Sequence, residues 1–439
     1  MRIEDILSKL GIQQLTDMQE EAMNAILRSN DDVVLLSPTG SGKTLAYLLP
    51  LVQMLDPKSN DVQLVVIVPG RELALQSATV LQDMKCGLRA CACYGGRAAM
   101  DEHRVLRQVQ PQIVFATSGR LQDHLSKGNI LANTVRYLVI DEFDKCLEMG
   151  FMEEMGRILR NLPHVERRIL LSATDADSIP RFVQMGHTQR LDYLIEEEQV
   201  SERVQIYQVK SPEKDKLNTL RQLLYELGNQ SSIVFLNYRD SVERVADYLK
   251  EYGFVISYFH GGLEQRERED ALYKFSNGSA NVLVATDLAS RGIDIPDIDN
   301  IIHYHLPESE HGYVHRVGRT ARWEAKGRAF FILNSEESIP AYVDGEVQDY
   351  VAHPVSTTAP IPKMVTLYIG KGKKDKLSKG DIVGFLCKKG GLQSSEIGKI
   401  SVEERYTYVA IDRQKLSSVL RHVQGEKIKG IKTIVEEVR

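Results

Sequence analysis

Long apolar runs are missing from this 439-residue chain. No stretch approaches the roughly 18–20 apolar residues that cross a bilayer, so no membrane-spanning helix is expected. The opening residues, MRIEDILSKL, are charged throughout and hold no apolar core of a secretion signal; a cytoplasmic protein is expected. Cysteine is scarce too. Cys86, Cys91, Cys93, Cys146 and Cys387 form no CxxC pair and no even framework, which excludes a disulfide scaffold and points to reduced thiols.

What remains is the composition of an ordinary globular chain, 43% hydrophobic and 26% charged. At roughly 150 residues per domain, the length suggests about three domains. The net charge of −5 conceals an uneven distribution. Residues 363–439 hold 13 lysines and 4 arginines against 9 acidic residues, while the first 362 hold 38 basic against 51 acidic. A basic block on an acidic body suits a module that meets a polyanion.

The first half alternates short apolar, β-branched runs with helical stretches. Val33–Leu36, Leu64–Val68, Ile113–Ala116, Tyr137–Ile140 and Arg168–Leu171 read as buried parallel strands of a doubly wound α/β domain, residues 1–196. The polar run at 196–202 makes a hinge. A second α/β series spans 203–345, with strands at Ile233–Leu236, Val255–Phe259, Asn281–Ala285 and Asn300–Tyr304. Residues 346–362, with three prolines in HPVSTTAPIP at 353–362, read as an extended linker. Residues 363–439 follow the order β-α-β-β-α-β, a small α+β ferredoxin-like domain of the kind used by RNA-recognition modules.

Chemistry concentrates after the strands. Val33–Leu36 runs into Ser37-Pro38-Thr39-Gly40-Ser41-Gly42-Lys43-Thr44 and then a helix. Glycines there let backbone N–H groups turn around phosphate oxygens, and the helix N-terminus adds partial positive charge. Lys43 would reach the β- and γ-phosphates and the Thr44 hydroxyl would ligate Mg²⁺, so ATP and magnesium are the expected cofactors. Ser37 stands where the strict pattern has glycine. After Tyr137–Ile140 come Asp141-Glu142-Phe143-Asp144: Asp141 would sit near the metal and Glu142 would orient or deprotonate the attacking water. Positive charge for the equatorial oxygens is offered by His315-Arg316-Val317-Gly318-Arg319-Thr320-Ala321-Arg322, where Arg319 and Arg322 share a face if the segment is helical.

Over residues 1–345 this constellation resembles the DEAD-box RNA helicases, which implies two tandem RecA-like domains. Gly11–Gln19 is similar to the adenine-reading Q motif, with Gln19 as its namesake, and Ser37–Thr44 and Asp141–Asp144 to motifs I and II. By resemblance, Ser172-Ala173-Thr174 couples hydrolysis to unwinding together with Asp144 and His315. Asp294 contacts the ribose, and Arg319 and Arg322 act as arginine fingers. The resemblance also implies an RNA grip. In the first domain it comprises Pro69, Gly70, Arg71, Gly95, Gly96, Thr117, Gly119 and Arg120; in the second, His260, Gly261, Gln265, Arg268, Thr286 and Arg291. Phe143, Gly70, Ser118 and Ala321 depart from the family's alanine, threonine, proline and glycine, and no aromatic residue precedes Gly11. Residues 363–439 resemble the C-terminal domain of the DbpA-type helicases, which implies binding to a hairpin of 23S ribosomal RNA during large-subunit assembly. Lys371, Lys373 and Lys374 are the expected RNA contacts; Tyr406 and Tyr408 hold two of three base-stacking positions. The expected activity is RNA-stimulated ATP hydrolysis with local unwinding by a monomer. An ATP-gated RNA clamp and a DNA-directed translocase are the alternatives.

Overall fold

The computed structural model describes residues 2–38, 40–96, 99–148, 152–174, 179–194, 204–290, 298–320, 327–343, 345–354 and 356–438. The chain divides into two compact units at Val200/Ser201. In the first, seven parallel strands form one sheet: β1 (Asp32–Leu36), β2 (Leu64–Ile67), β3 (Ala90–Cys93), β4 (Ile113–Ala116), β5 (Tyr137–Ile140), β6 (Arg167–Ser172) and β7 (Thr188–Asp192), in the order β3-β4-β2-β5-β6-β1-β7. Alternate residues serve opposite faces. Val33, Leu35, Leu64 and Val66 join the core under one helical layer, whereas Val34, Leu36, Val65 and Ile67 join the core under the other. Burial on both faces is why these strands are continuous apolar runs rather than alternating ones.

The second unit repeats the plan with β8 (Val204–Lys210), β9 (Ser232–Phe235), β10 (Ile256–Phe259), β11 (Val282–Ala285), β12 (Asn300–His303), β13 (Gly327–Leu333) and β14 (Val347–Asp349), ordered β10-β11-β9-β12-β13-β8-β14. The stretch 346–362 is not the free linker that its prolines suggested. β14 pairs with β8, Tyr350 donates to Glu226 at 2.7 Å, and Ala352 and Ala359 pack on the core of this domain.

The C-terminal sheet is antiparallel, with β15 (Met364–Ile369), β16 (Ile397–Val402), β17 (Thr407–Asp412) and β20 (Val435–Glu437) in the order β16-β17-β15-β20. That is the expected ferredoxin-like arrangement, with a two-stranded ribbon, β18 (Lys427–Ile428) and β19 (Ile431–Lys432), added before the last strand. Odd-numbered residues Val365, Leu367, Ile369, Val409 and Ile411 fill its core beneath the helices. Even-numbered Thr366, Tyr368 and Tyr408 therefore point out of the opposite face. Among the described residues no helix is long and apolar enough to cross a membrane.

The basic loop after β15 is pinned by backbone: Lys373 and Lys374 N–H groups donate to the Glu403 and Glu404 carbonyls at 2.8 and 2.9 Å. Gly372 makes this approach possible, because a Cβ there would collide with the Glu403 carbonyl and the Tyr406 and Arg405 amides. Gly372→Ala is expected to destabilise the C-terminal domain by about 1–3 kcal/mol through overpacking against backbone. Denaturant unfolding of the full chain checks this; an unchanged midpoint would contradict it.

Candidate nucleotide site and RNA interface

In a parallel sheet every strand delivers its following loop to the same edge. Along that edge of the first sheet, β1, β6 and β5 are neighbours, and so are β2, β4 and β3. The phosphate-loop, Ser172–Thr174 and Asp141–Asp144 segments thus share one half of the edge, while Pro69–Arg71, Gly95-Gly96 and Thr117–Arg120 share the other.

Hydrogen bonds tie the nucleotide half together. Ser37 N–H donates to the Ser172 carbonyl at 3.0 Å, which anchors the loop's first residue to the end of β6. Gly42, at φ 90°, precedes the helix Lys43–Met54 and leaves no room for a Cβ beside the Gln19 amide. Gln19 is the third helical residue of Asp17–Arg28; its Oε1 accepts the Thr16 N–H in a capping box, and its Nε2 donates to the Gly42 carbonyl at 3.2 Å. Lys43 is only 8% exposed, and its ammonium donates to the Ser37 and Pro38 carbonyls at 2.5 and 2.6 Å, inside the loop's concavity.

Asp141 is buried at the end of β5, with its N–H on the Ile67 carbonyl of β2 at 2.9 Å. Burial pushes its carboxyl up to about 6, against the opposing pull of Lys43. Glu142 is buried and sits at φ 50°, a left-handed conformation that costs roughly 1–2 kcal/mol for a residue with a side chain. Asp144 accepts the Thr174 hydroxyl at 2.8 Å, and Ser172 Oγ donates to the Thr174 carbonyl at 2.5 Å, so the Asp-Glu-Phe-Asp and Ser-Ala-Thr segments are joined. Do these residues suit a nucleotide and a divalent cation? The Ser41 hydroxyl is buried in the loop with no hydrogen-bond partner among the described residues, Gly40 has φ 82°, and the Asp141 carboxylate shares surroundings with the Lys43 ammonium. An anionic group with its counter-ion answers all three.

The other half holds the residues expected, by resemblance, to grip RNA in the first domain. A Cβ on Gly96 would meet the Arg71 guanidinium, which places two of them side by side. Arg120 Nε lies 3.2 Å from Glu102, whose carboxylate also meets His124 at 3.1 Å and accepts the Tyr94 N–H at 3.0 Å. Glu102 and His124 were not singled out in the sequence. No sequence signal marked the pair, because their burial comes from contacts with residues distant in the chain.

In the second unit, His260 and Gly261 follow β10, and Thr286 follows the adjacent β11. Glu243 holds His260 Nε2 at 3.1 Å, and burial lowers the imidazole below its usual range. Gln265 opens the helix Gln265–Ser276, whereas Arg268 is buried with its guanidinium 5.0 Å over the Phe259 ring. The helix Glu310–Val317 ends before Gly318, so Arg319 lies in the following turn and not on a helical face. Arg319 is buried, as is His315. The hub of this region went unread: Arg316 is fully buried, bonds Asp287 through two nitrogens, and donates to Asn237 and the His305 carbonyl at 2.8 Å each. Thr39, Arg291, Asp294 and Arg322 lie outside the described residues.

The C-terminal tyrosines are not an open stacking surface. Tyr406 donates to Glu269 at 2.7 Å, Tyr408 to Asp270, and the Tyr273 and Tyr408 rings lie 4.8 Å apart, all against the helix Gln265–Ser276. Lys373 and Lys374 remain exposed, while Lys371 is paired with Asp375 at 3.0 Å.

Comparison with known proteins agrees with this layout. The DEAD/DEAH box helicase family matches residues 16–182, the helicase conserved C-terminal domain 215–324, and the DbpA RNA binding domain 366–437. The chain is 35% identical over 437 residues to the ATP-dependent RNA helicase DbpA of Escherichia coli (strain K12), covering 97% of this chain and 94% of that protein. It is 31% identical to the protein of the same name from Bacillus subtilis (strain 168), covering 97% and 95%. The fold is shared with Mss116p bound to single-stranded RNA and AMP-PNP, at a TM-score of 0.70 and 24% identity over 80% of this chain and 77% of that one. Since the motifs are assembled at the strand ends and the relatives match over nearly their full length, the chain belongs to the DEAD-box ATP-dependent RNA helicases of the DbpA type.

Proposed function

We propose that this helicase locally remodels structured 23S ribosomal RNA during assembly of the large ribosomal subunit, acting as a cytoplasmic monomer. The observation that carries the reading is a small basic domain, with Lys373 and Lys374 exposed on a loop pinned by backbone, joined to an acidic motor. Phosphate contacts dominate RNA affinity, so this loop supplies the tether while the motor supplies the work.

In the motor, Gln19 reads the adenine and Asp294 the ribose, and the loop Ser37–Thr44 wraps the phosphates. Lys43 exchanges its two loop carbonyls for β- and γ-phosphate oxygens. Thr44 and Asp141 would hold magnesium, which when bound neutralises phosphate charge. Glu142 takes the proton of the attacking water, and Arg319 with Arg322 offsets charge on the transferring group. The bond from Thr174 to Asp144 ties phosphate chemistry to the coupling segment, with His315 in the same role on the second domain. The grip residues of both domains hold one RNA strand by its backbone, and bending that strand displaces its partner. The DNA-directed alternative gives way to the family assignment.

Glu142→Gln is expected to lower RNA-stimulated phosphate release about 10²–10⁴-fold while ATP and RNA binding persist. Release near the normal rate would remove Glu142 from this role. The double variant Lys373→Glu/Lys374→Glu is expected to raise the half-saturating concentration of a 23S RNA fragment in the ATPase assay about tenfold or more at unchanged kcat. It should also reduce the salt slope of RNA binding by about 2. An unchanged slope would place the tether elsewhere.

A further inference from the structure

The helix Gln265–Ser276 serves two sets of contacts. Its first turn carries Gln265, and one turn further Glu269 and Asp270 meet the C-terminal sheet. The attachment is extensive: Asn277 donates to Thr366 at 2.8 Å, Tyr273 Oη lies 2.8 Å from the Lys399 carbonyl, and Arg266 covers the Tyr368 ring at 5.0 Å. Within it, one side chain touches both partners. Glu269 Oε1 accepts the Gln265 Nε2–H at 3.0 Å, and Glu269 Oε2 accepts the Tyr406 hydroxyl at 2.7 Å.

We propose that Glu269 is a positioning residue through which the C-terminal domain sets the rotamer of Gln265 in the motor's RNA grip. This rests on the reading of Gln265 as a grip residue. A carboxylate has two acceptor oxygens in one plane, so fixing one by Tyr406 fixes the direction of the other. Without the tyrosine hydroxyl, Glu269 regains torsional freedom and Gln265 loses a rigid acceptor. Ordering Gln265 before RNA arrives removes part of the entropy that binding would otherwise lose. Asp270 and Tyr408 form a parallel pair that holds the same two domains together and is not bonded to Gln265. The lower part of the helix is therefore an attachment, and the Tyr406–Glu269–Gln265 chain is a relay.

The test measures RNA-stimulated ATPase of the full chain with an unstructured single-stranded RNA. Tyr406→Phe and Glu269→Ala are each expected to raise the half-saturating RNA concentration about 5- to 10-fold, the size of one ordinary hydrogen bond, at unchanged kcat. Glu269→Gln keeps one acceptor oxygen and is expected to fall between them and the unaltered protein. In a Gln265→Ala background, Tyr406→Phe should have no further effect. Tyr408→Phe, which loosens the attachment alone, should leave RNA half-saturation where it was. If Tyr408→Phe matches Tyr406→Phe, the effect is loss of attachment and the relay is overturned. If Gln265→Ala raises the half-saturating concentration but Tyr406→Phe and Glu269→Ala do not, the grip stands and the relay fails. If Gln265→Ala itself changes nothing, the grip reading fails first.

Discussion

The shared direction of the strands in each large sheet is the constraint on which the rest depends. Parallel strands need crossovers, and crossovers return every strand to start at the same edge, so every strand-to-helix turn leaves at the other. Motifs far apart in sequence then become neighbours. Adjacent strands go further and bond them: the Asp141 N–H rests on the Ile67 carbonyl of β2, the strand that leads to Pro69–Arg71, and the Ser37 N–H rests on Ser172 of β6. With Gln19 on Gly42 and Thr174 on Asp144, hydrogen bonds run from Gln19 through the Ser37–Thr44 loop to Ser172–Thr174.

Three departures from the family pattern are accommodated locally. Phe143 is buried in the apolar core of the first domain, the same cluster that holds Cys146 and Leu138. Ser118 donates to Glu154 at 2.6 Å, a bond that a proline could not make. Gly70 leaves the helix Arg71–Met84 without a side-chain cap, a loss of a few tenths of a kcal/mol relative to threonine. Ala321 lies outside the described residues. None of the three removes a polar group from the nucleotide half of the edge.

The central strands were legible because burial on both faces makes them uninterrupted apolar runs, and the phosphate loop because glycines mark its turns. Edge strands were harder. The edge strands β7 (TQRLD) and β14 (VQD), and β8 (VQIYQVK) next to the edge, carry polar residues on exposed positions. Proline content suggested a linker at 346–362, yet three residues ahead of the prolines pair with β8, since a sheet edge accepts any short extended segment with free N–H groups. Buried charge was the least legible feature. Glu102 and Arg316, and the half-buried Glu269, look like surface residues until their partners, distant in sequence, come into contact. Tyr406 and Tyr408 show the reverse error, because alternation on a strand told which face they take but not that Glu269 and Asp270 already cover it.

The C-terminal domain is thus more than an appended basic block: its tyrosine face packs on the helix Gln265–Ser276, and its lysines are what we propose it offers to RNA. We propose that ATP turnover at the first sheet's edge separates RNA strands when the basic domain holds a neighbouring structured RNA. Displacement of a short labelled RNA duplex, with and without a covalently attached 23S RNA hairpin, tests it most directly. Rapid displacement that requires both ATP and the attached hairpin is expected. ATP hydrolysis without displacement would mark a clamp, and equal displacement of both duplexes would contradict delivery by the C-terminal domain.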